Sequence, residues 1–274
     1  MIDTRAIAVP GGSLHTATAG DPANPAAVLV HAGIAHSDMW TGLMRAMSDE
    51  LFLVAYDCRC FGRSVTSLEG TYSDVADLAS VLDAYGLESA LLVGASRGTR
   101  IAIDFTLTHP DRVRGLFLAA PDVSGYDAPA TDAERALLAA MEAADDAGDT
   151  EGIIASEARL LIDGPLRDLE DRRAAMRASV AEMARVSYAQ QDKTPDFESF
   201  EPPAAGRLAE ITCPVRVLTG DLDTSGMKAM AAAVESDCPR ATLVEVADAA
   251  HMLVLEHPDV VERELRAWVR HVVT

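Results

Sequence analysis

The chain has 274 residues, 49% of them apolar, enough for one sizeable core plus an inserted unit at roughly 150 residues per domain. Its 43 Asp and Glu against 23 Lys and Arg give a formal net charge of −20, a surface that repels phosphate backbones and anionic headgroups and so excludes nucleic acid and membranes as expected partners. The start, Met1 to Arg5, carries no apolar leader, and no stretch approaches the roughly 20 apolar residues of a membrane span, so a cytoplasmic address is expected.

In chain order, short strands alternate with helical patterns up to about residue 124. Ala6 to Val9 and Leu14 to Thr18 read as strands with no helix between them, an antiparallel hairpin at a sheet edge. Ala27 to His31 is a third strand, followed by a helix near Asp38 to Ser48, a strand from Leu51 to Tyr56 and a helix near Ser73 to Tyr85. Ala90 to Val93, a helix to His109, and Val113 to Ala119 continue the alternation. This predicts an α/β fold with a doubly wound, mostly parallel sheet.

From about Tyr126 to Pro203 the alternation stops. Thr131-Asp132-Ala133-Glu134 has the pattern of a capping box and opens a helix through Met141. A second helix is predicted near Thr150 to Leu161, ending at Asp163-Gly164-Pro165, and a third from about Asp168 to Tyr188; Pro195, Pro202 and Pro203 mark the return. Residues 125–203 are therefore expected to form a helical cap inserted into a core of 1–124 and 204–274, and no internal repeat is present. Val215 to Thr219 and Thr242 to Val246 resume the strands, and an amphipathic helix near Asp259 to Val272 closes the chain.

The motif with most chemical content is Gly94-Ala95-Ser96-Arg97-Gly98, placed between a strand and a helix. A chain reversing sharply there strains the central residue, while small residues two before and two after let strand and helix approach. Such an elbow exposes the Ser96 hydroxyl and leaves the next N–H free at a helix N-terminus. An acid and a histidine follow in the order this turn demands: Asp221 and Asp223 lie just past the strand ending at Gly220, and His251 lies in the loop after Val246. Both places are strand ends, where loops that carry chemistry collect.

With these residues in view the chain resembles the α/β-hydrolases over nearly its whole length. Val28-Leu29-Val30-His31-Ala32-Gly33 with Trp40 downstream resembles the family's oxyanion loop, with Ala32 in the place of a usual glycine. Asp57-Cys58-Arg59-Cys60-Phe61-Gly62-Arg63-Ser64 is similar to its Asp-x-Arg-Gly-x-Gly-x-Ser turn, with Cys60 in the place of a glycine. Thr108 to Val113 and Glu256 to Val261 also resemble family segments. The resemblance implies Ser96 as nucleophile, His251 as general base and Asp223 as orienting acid, Asp223 being preferred because the family acid stands three residues past the strand-ending glycine. It implies an oxyanion hole of the Arg97 and Gly33 N–H groups, with Ile34 as the alternative to Gly33.

Hydrolysis of a small carboxylic ester or lactone through an acyl-enzyme is the activity this implies, with no cofactor and no metal. Cys58, Cys60, Cys213 and Cys238 match no disulfide framework or metal-ligand spacing and read as reduced thiols. A lyase, cyclase, cofactor-free oxygenase or perhydrolase, or a small-molecule receptor, would use the same pocket. Ser96 argues against dehalogenase and epoxide hydrolase chemistry, which needs a carboxylate at the elbow. Ile34, Trp40, Tyr126 and Met252, with Met39, are candidates to line the pocket from below, and Met141, Ile153, Ile154, Leu160, Leu161, Met176, Met183 and Tyr188 from above. Arg97 has two readings: an anchor for an anionic substrate group, or an ion pair within the protein, the latter favoured because a cation at the positive end of a helix wants a nearby anion. Both a monomer and a homodimer are compatible with the sequence.

Overall fold

The computed structural model describes residues 1–67, 70–167, 173–191 and 196–272. The strands are β1 (Asp3–Val9), β2 (Gly12–Ala19), β3 (Ala26–Val30), β4 (Phe52–Tyr56), β5 (Val65–Thr66), β6 (Thr71–Tyr72), β7 (Ala90–Ala95), β8 (Val113–Ala119), β9 (Asp196–Phe197), β10 (Val215–Gly220) and β11 (Ala241–Val246). The helices are α1 (Thr41–Met47), α2 (Asp74–Ala84), α3 (Arg97–Thr108), α4 (Asp132–Asp146), α5 (Thr150–Ala158), α6 (Ala174–Gln191), α7 (Ser225–Asp237), α8 (Leu253–Glu256) and α9 (Pro258–Val272). The main sheet has the order β1-β2-β4-β3-β7-β8-β10-β11, with β5 pairing β2 off this path. β1 and β2 pair antiparallel, Asp3 with Thr18 through Val9 with Gly12, as the hairpin reading expected. From β4 to β11 every neighbour is parallel.

A parallel sheet of this kind is covered on both faces, so its strands read as unbroken apolar runs. β3 is buried at all five positions. Ala27 and Leu29 enter one core with α1 and α9, while Ala26, Val28 and Val30 enter the other with α2, α3 and α7. Each fully buried aliphatic side chain contributes about 1.5–3 kcal/mol. The stripe Val261, Leu265, Trp268 and Val269 buries one face of α9 at helical spacing. Trp268 lies beside Phe117, ring centroids 5.9 Å apart, and over Gly115, where a Cβ would come within 2.8 Å of the indole.

Between β8 and β10 the chain runs through α4, α5 and α6. Thr131 and Glu134 form the expected reciprocal capping box at the start of α4. The helix expected to reach Leu161 is α-helical only to Ala158; residues Arg159–Asp163 form a π-helical turn that stops at Gly164, φ 79°. The expected start of the third helix, 168–172, and Pro195 lie outside the described residues. This stretch is not wholly helical: β9 pairs in parallel with β6, Thr71 with Asp196 and Tyr72 with Phe197. Two residues are too few to leave a period-2 signal in sequence. Among the described residues no helix is long and apolar enough to cross a membrane.

Candidate active site

The turn from β7 into α3 is as tight as its sequence demands. Ser96 has φ 50° and ψ −122°, a left-handed conformation that a non-glycine residue holds only when its surroundings impose it. Those surroundings are close backbone. A Cβ on Gly94 would lie 2.6 Å from the Gly98 carbonyl oxygen, and one on Gly98 would lie 2.1 Å from that of Val30. The Ser96 N–H donates to Ala119 O at 3.0 Å, and the Thr99 hydroxyl donates to Ser96 O at 2.6 Å, pinning the elbow from both sides.

Asp223 and His251 come from the loops after β10 and β11. The loops can touch because Gly220 has no side chain: a Cβ there would stand 2.3 Å from Ala249 O and 2.4 Å from Ala250 O. His251 Nδ1 lies 3.0 Å from Asp223 Oδ2 and 3.2 Å from Oδ1, with both side chains buried. Burial pulls the imidazole pKa down, but the Asp223 charge and hydrogen bond outweigh it, and the net shift is upward from 6.5. His251 Nε2 is buried with no protein partner among the described residues. Asp221 is otherwise engaged: its Oδ1 accepts the Ala249 N–H at 3.2 Å.

Ser96 and His251 line one cavity of about 380 Å³. Gly33, Ile34, Arg97 and Met252 line it from the core, together with Ala32, Phe61 and Met227. Met141 of α4, Glu157 of α5, Leu160 and Leu161 of the π turn and Tyr188 of α6 line it from the segment between β8 and β10. Trp40 and Tyr126 are placed elsewhere: Trp40 is wholly buried in the core cluster under α1 and α9, and Tyr126 packs against the opposite cluster. Ile153, Ile154, Met176 and Met183 are likewise absent from the lining: Ile153 and Ile154 are buried, and Met176 and Met183 belong to the core under α1 and α9. Gly33 and Arg97 are neighbours, since a Cβ on Gly33 would touch the Arg97 side chain at 3.8 Å.

The Arg97 guanidinium is met inside the protein. Its Nη2 donates to Asp74 Oδ2 at 2.7 Å and Oδ1 at 2.9 Å, and its Cζ stands 4.9 Å from the Phe61 ring centroid. Burial opposes its charge, yet Asp74 and the neighbouring Cys58 and Tyr72 raise its pKa further.

The loop after β3 is held by His31. Its Nδ1 lies 2.8 Å from Ala32 O and its Nε2 2.9 Å from the Cys58 N–H. One nitrogen must donate and the other accept, which only the neutral ring allows. Burial favours the same form and lowers the pKa to about 4. Below it, the wholly buried Asp57 accepts the Ser37 N–H at 2.8 Å and the Arg63 N–H at 2.7 Å. Burial alone would raise its pKa, but these donors bring it below the usual carboxylate value. Gly62, φ 52°, is required beside it because a Cβ would fall 2.2 Å from Asp57 Oδ2.

Sequence reasoning did not single out Glu157 or Asp74. The signal for Glu157 was there: Ile153, Glu157, Leu160 and Leu161 share one helical face, so a carboxylate interrupts an apolar stripe. Asp74 had no local signal, since it meets Arg97 across 23 residues of chain.

The alpha/beta hydrolase fold family model matches residues 25–258. The chain belongs to this family. It is 34% identical over 126 residues to the provisionally named carbamate hydrolase RutD of Caulobacter segnis, 44% of this chain and 46% of that protein. The chain thus matches less than half the length of that curated relative. In fold it is similar to a thermophilic esterase from Thermogutta terrifontis, TM-score 0.80 at 22% identity over 99% of this chain and 100% of the other. It is also similar to the enol-lactonase of Burkholderia xenovorans, TM-score 0.77 at 19% identity over 97% and 100% of the two chains.

Proposed function

We propose that this α/β-hydrolase cleaves a small carboxylic ester or lactone through an acyl-enzyme on Ser96. The observation that carries the reading is the His251–Asp223 pair, 3.0 Å apart, with His251 Nε2 buried beside the cavity that Ser96 lines and without a protein partner among the described residues. The names of the relatives, a carbamate hydrolase, an esterase and an enol-lactonase, support the same class of acyl chemistry.

In this mechanism His251 Nε2 takes the Ser96 proton as Oγ attacks the carbonyl carbon, and Asp223 holds the Nδ1–H tautomer and stabilises the imidazolium. The Arg97 and Gly33 N–H groups meet the oxyanion, each worth about 3–4 kcal/mol of transition-state stabilisation. His251 then returns the proton to the departing alkoxide. A water activated by the same ring hydrolyses the acyl-enzyme and regenerates Ser96. Arg97 keeps its side chain on Asp74 and contributes through its backbone. The inserted helices 125–203 serve as a cap that shapes the acyl or alcohol pocket.

A fluorophosphonate tests this directly, because it recruits the same nucleophile, base and oxyanion donors. Labelling of Ser96, with both labelling and ester turnover lost in Ser96→Ala, is the expected result. Ester turnover that survives Ser96→Ala overturns the mechanism; labelling without turnover on a broad ester and lactone panel moves the protein to a non-hydrolytic or receptor role.

A further inference from the structure

The cavity over Ser96 is apolar on nearly every side that the cap contributes, through Met141, Leu160 and Leu161. Glu157 is the exception. It sits on the apolar face of α5 and shares the cavity wall with Tyr188 of α6, whose hydroxyl acts on its carboxyl. Its Oε2 is buried with no protein partner among the described residues. The other titratable or charged side chains on the cavity wall are Arg97 and His251, each engaged by an aspartate of its own, Asp74 and Asp223; Asp145 of α4 acts on Tyr188. Among the described residues, no cation therefore neutralises Glu157.

Burial pushes its pKa up to about 7, with Tyr188 pulling the other way. A carboxylate held in an apolar pocket with one oxygen unmatched costs stability, and part of that cost is recovered when a ligand supplies a donor to it. A methyl or leucine would fill the same space without that cost. The polar group is therefore placed to be used.

We propose that Glu157 and Tyr188 form a polar subsite in the cap that accepts a hydrogen-bond donor, an O–H or N–H carried by the substrate away from the reacting carbonyl. The inference rests on the ester hydrolase reading for its substrate class. Substrates ending in a hydroxyl or ammonium group are favoured over alkyl-ended ones of equal length, and carboxylate-ended ones are rejected by like charge.

The test uses ethyl esters of equal chain length whose acyl groups end in methyl, hydroxyl, ammonium or carboxylate, assayed at pH 8, where the carboxyl is ionised. The wild-type protein is expected to favour the hydroxyl and ammonium esters over the methyl ester in kcat/KM by about tenfold or more, the value of one buried hydrogen bond to a charged group. Glu157→Leu should reverse that order, and Glu157→Gln should keep the hydroxyl preference while losing the ammonium one. A hydroxyl-to-methyl ratio that Glu157→Leu leaves within about twofold overturns the subsite. If no ester is turned over, calorimetric titration of the Ser96→Ala protein with the same esters separates the two readings. Tighter binding of the hydroxyl ester there supports the subsite while the hydrolase reading falls, and equal binding of the methyl and hydroxyl esters overturns the subsite itself.

Discussion

The backbone N–H of His251 donates to the carbonyl of Leu161 at 3.1 Å, so the loop bearing the proposed base is hydrogen-bonded to the segment between β8 and β10. Leu161 can accept because it lies in the last turn before Gly164, where helical carbonyls lack intrahelical partners. A second tie runs parallel to it: Arg167 Nη1 donates to Glu256 Oε1 at 2.6 Å, and Arg167 Nη2 reaches the Asp248 carbonyl. Glu256 Oε2 in turn accepts the Ala250 N–H at 2.8 Å, one residue before His251.

Arg167→Met should therefore disturb the base without touching it. Removing one member of a buried ion pair typically costs about 3–5 kcal/mol, here moderated by Arg173, which also reaches Glu256 at 3.3 Å. Turnover is expected to fall about tenfold, with fluorophosphonate labelling slowed in proportion. Labelling and turnover both at wild-type rates would show that the clamp does not position His251.

The acid is tested by ranking. Asp223→Asn should lower turnover by about 10⁴, since the amide stabilises the wrong imidazole tautomer. Asp221→Asn loses a charge but can still accept the Ala249 N–H through its amide oxygen, and should cost less than about tenfold. Rates measured on one activated ester decide the order.

Arg97→Met removes the cation that Asp74 holds at 2.7 Å and leaves a buried carboxylate unpaired. We expect a loss of about 3–5 kcal/mol in unfolding free energy and similar drops in kcat/KM on neutral and anionic esters. A rise in KM confined to anionic substrates would instead make Arg97 a substrate anchor.

The pH profile follows from His251. A general base must be neutral, and Asp223 raises its pKa above 6.5, so kcat/KM should climb with pH through an inflection above 6.5. In Asp223→Asn the residual activity should inflect at lower pH, because burial then acts on the ring without its counter-charge.

His31 contributes to the loss of stability in acid. Its folded pKa is about 4 against 6.5, so between these values the unfolded chain binds the extra proton and stability is lost as pH falls through that window. The difference corresponds to about 3 kcal/mol. Urea midpoints measured from pH 7 to 4 should fall for the wild type, and His31→Asn, though less stable at pH 7, should show a flatter profile.

The sequence by itself determined the α/β alternation, the edge hairpin, the helices between β8 and β10 and the tight turn at Ser96, because each rests on local periodicity or on glycines whose neighbours are a few residues away. β8 runs from Val113 to Ala119, as its apolar run reads. Asp223 and His251 were legible as a pair from chain order and strand ends alone. What only the tertiary structure decided are contacts between segments distant in sequence. Trp40, read as a pocket residue, is wholly buried in the core, because a tryptophan near a loop serves packing and binding with the same apolar surface. Arg97 has its anion in Asp74, and the His251 N–H its acceptor in Leu161, through approaches that no local pattern encodes. Glu157 shows the boundary: its place on an apolar stripe is written in the sequence, but whether that face meets protein or the cavity depends on how α5 lies against α4, α6 and the elbow.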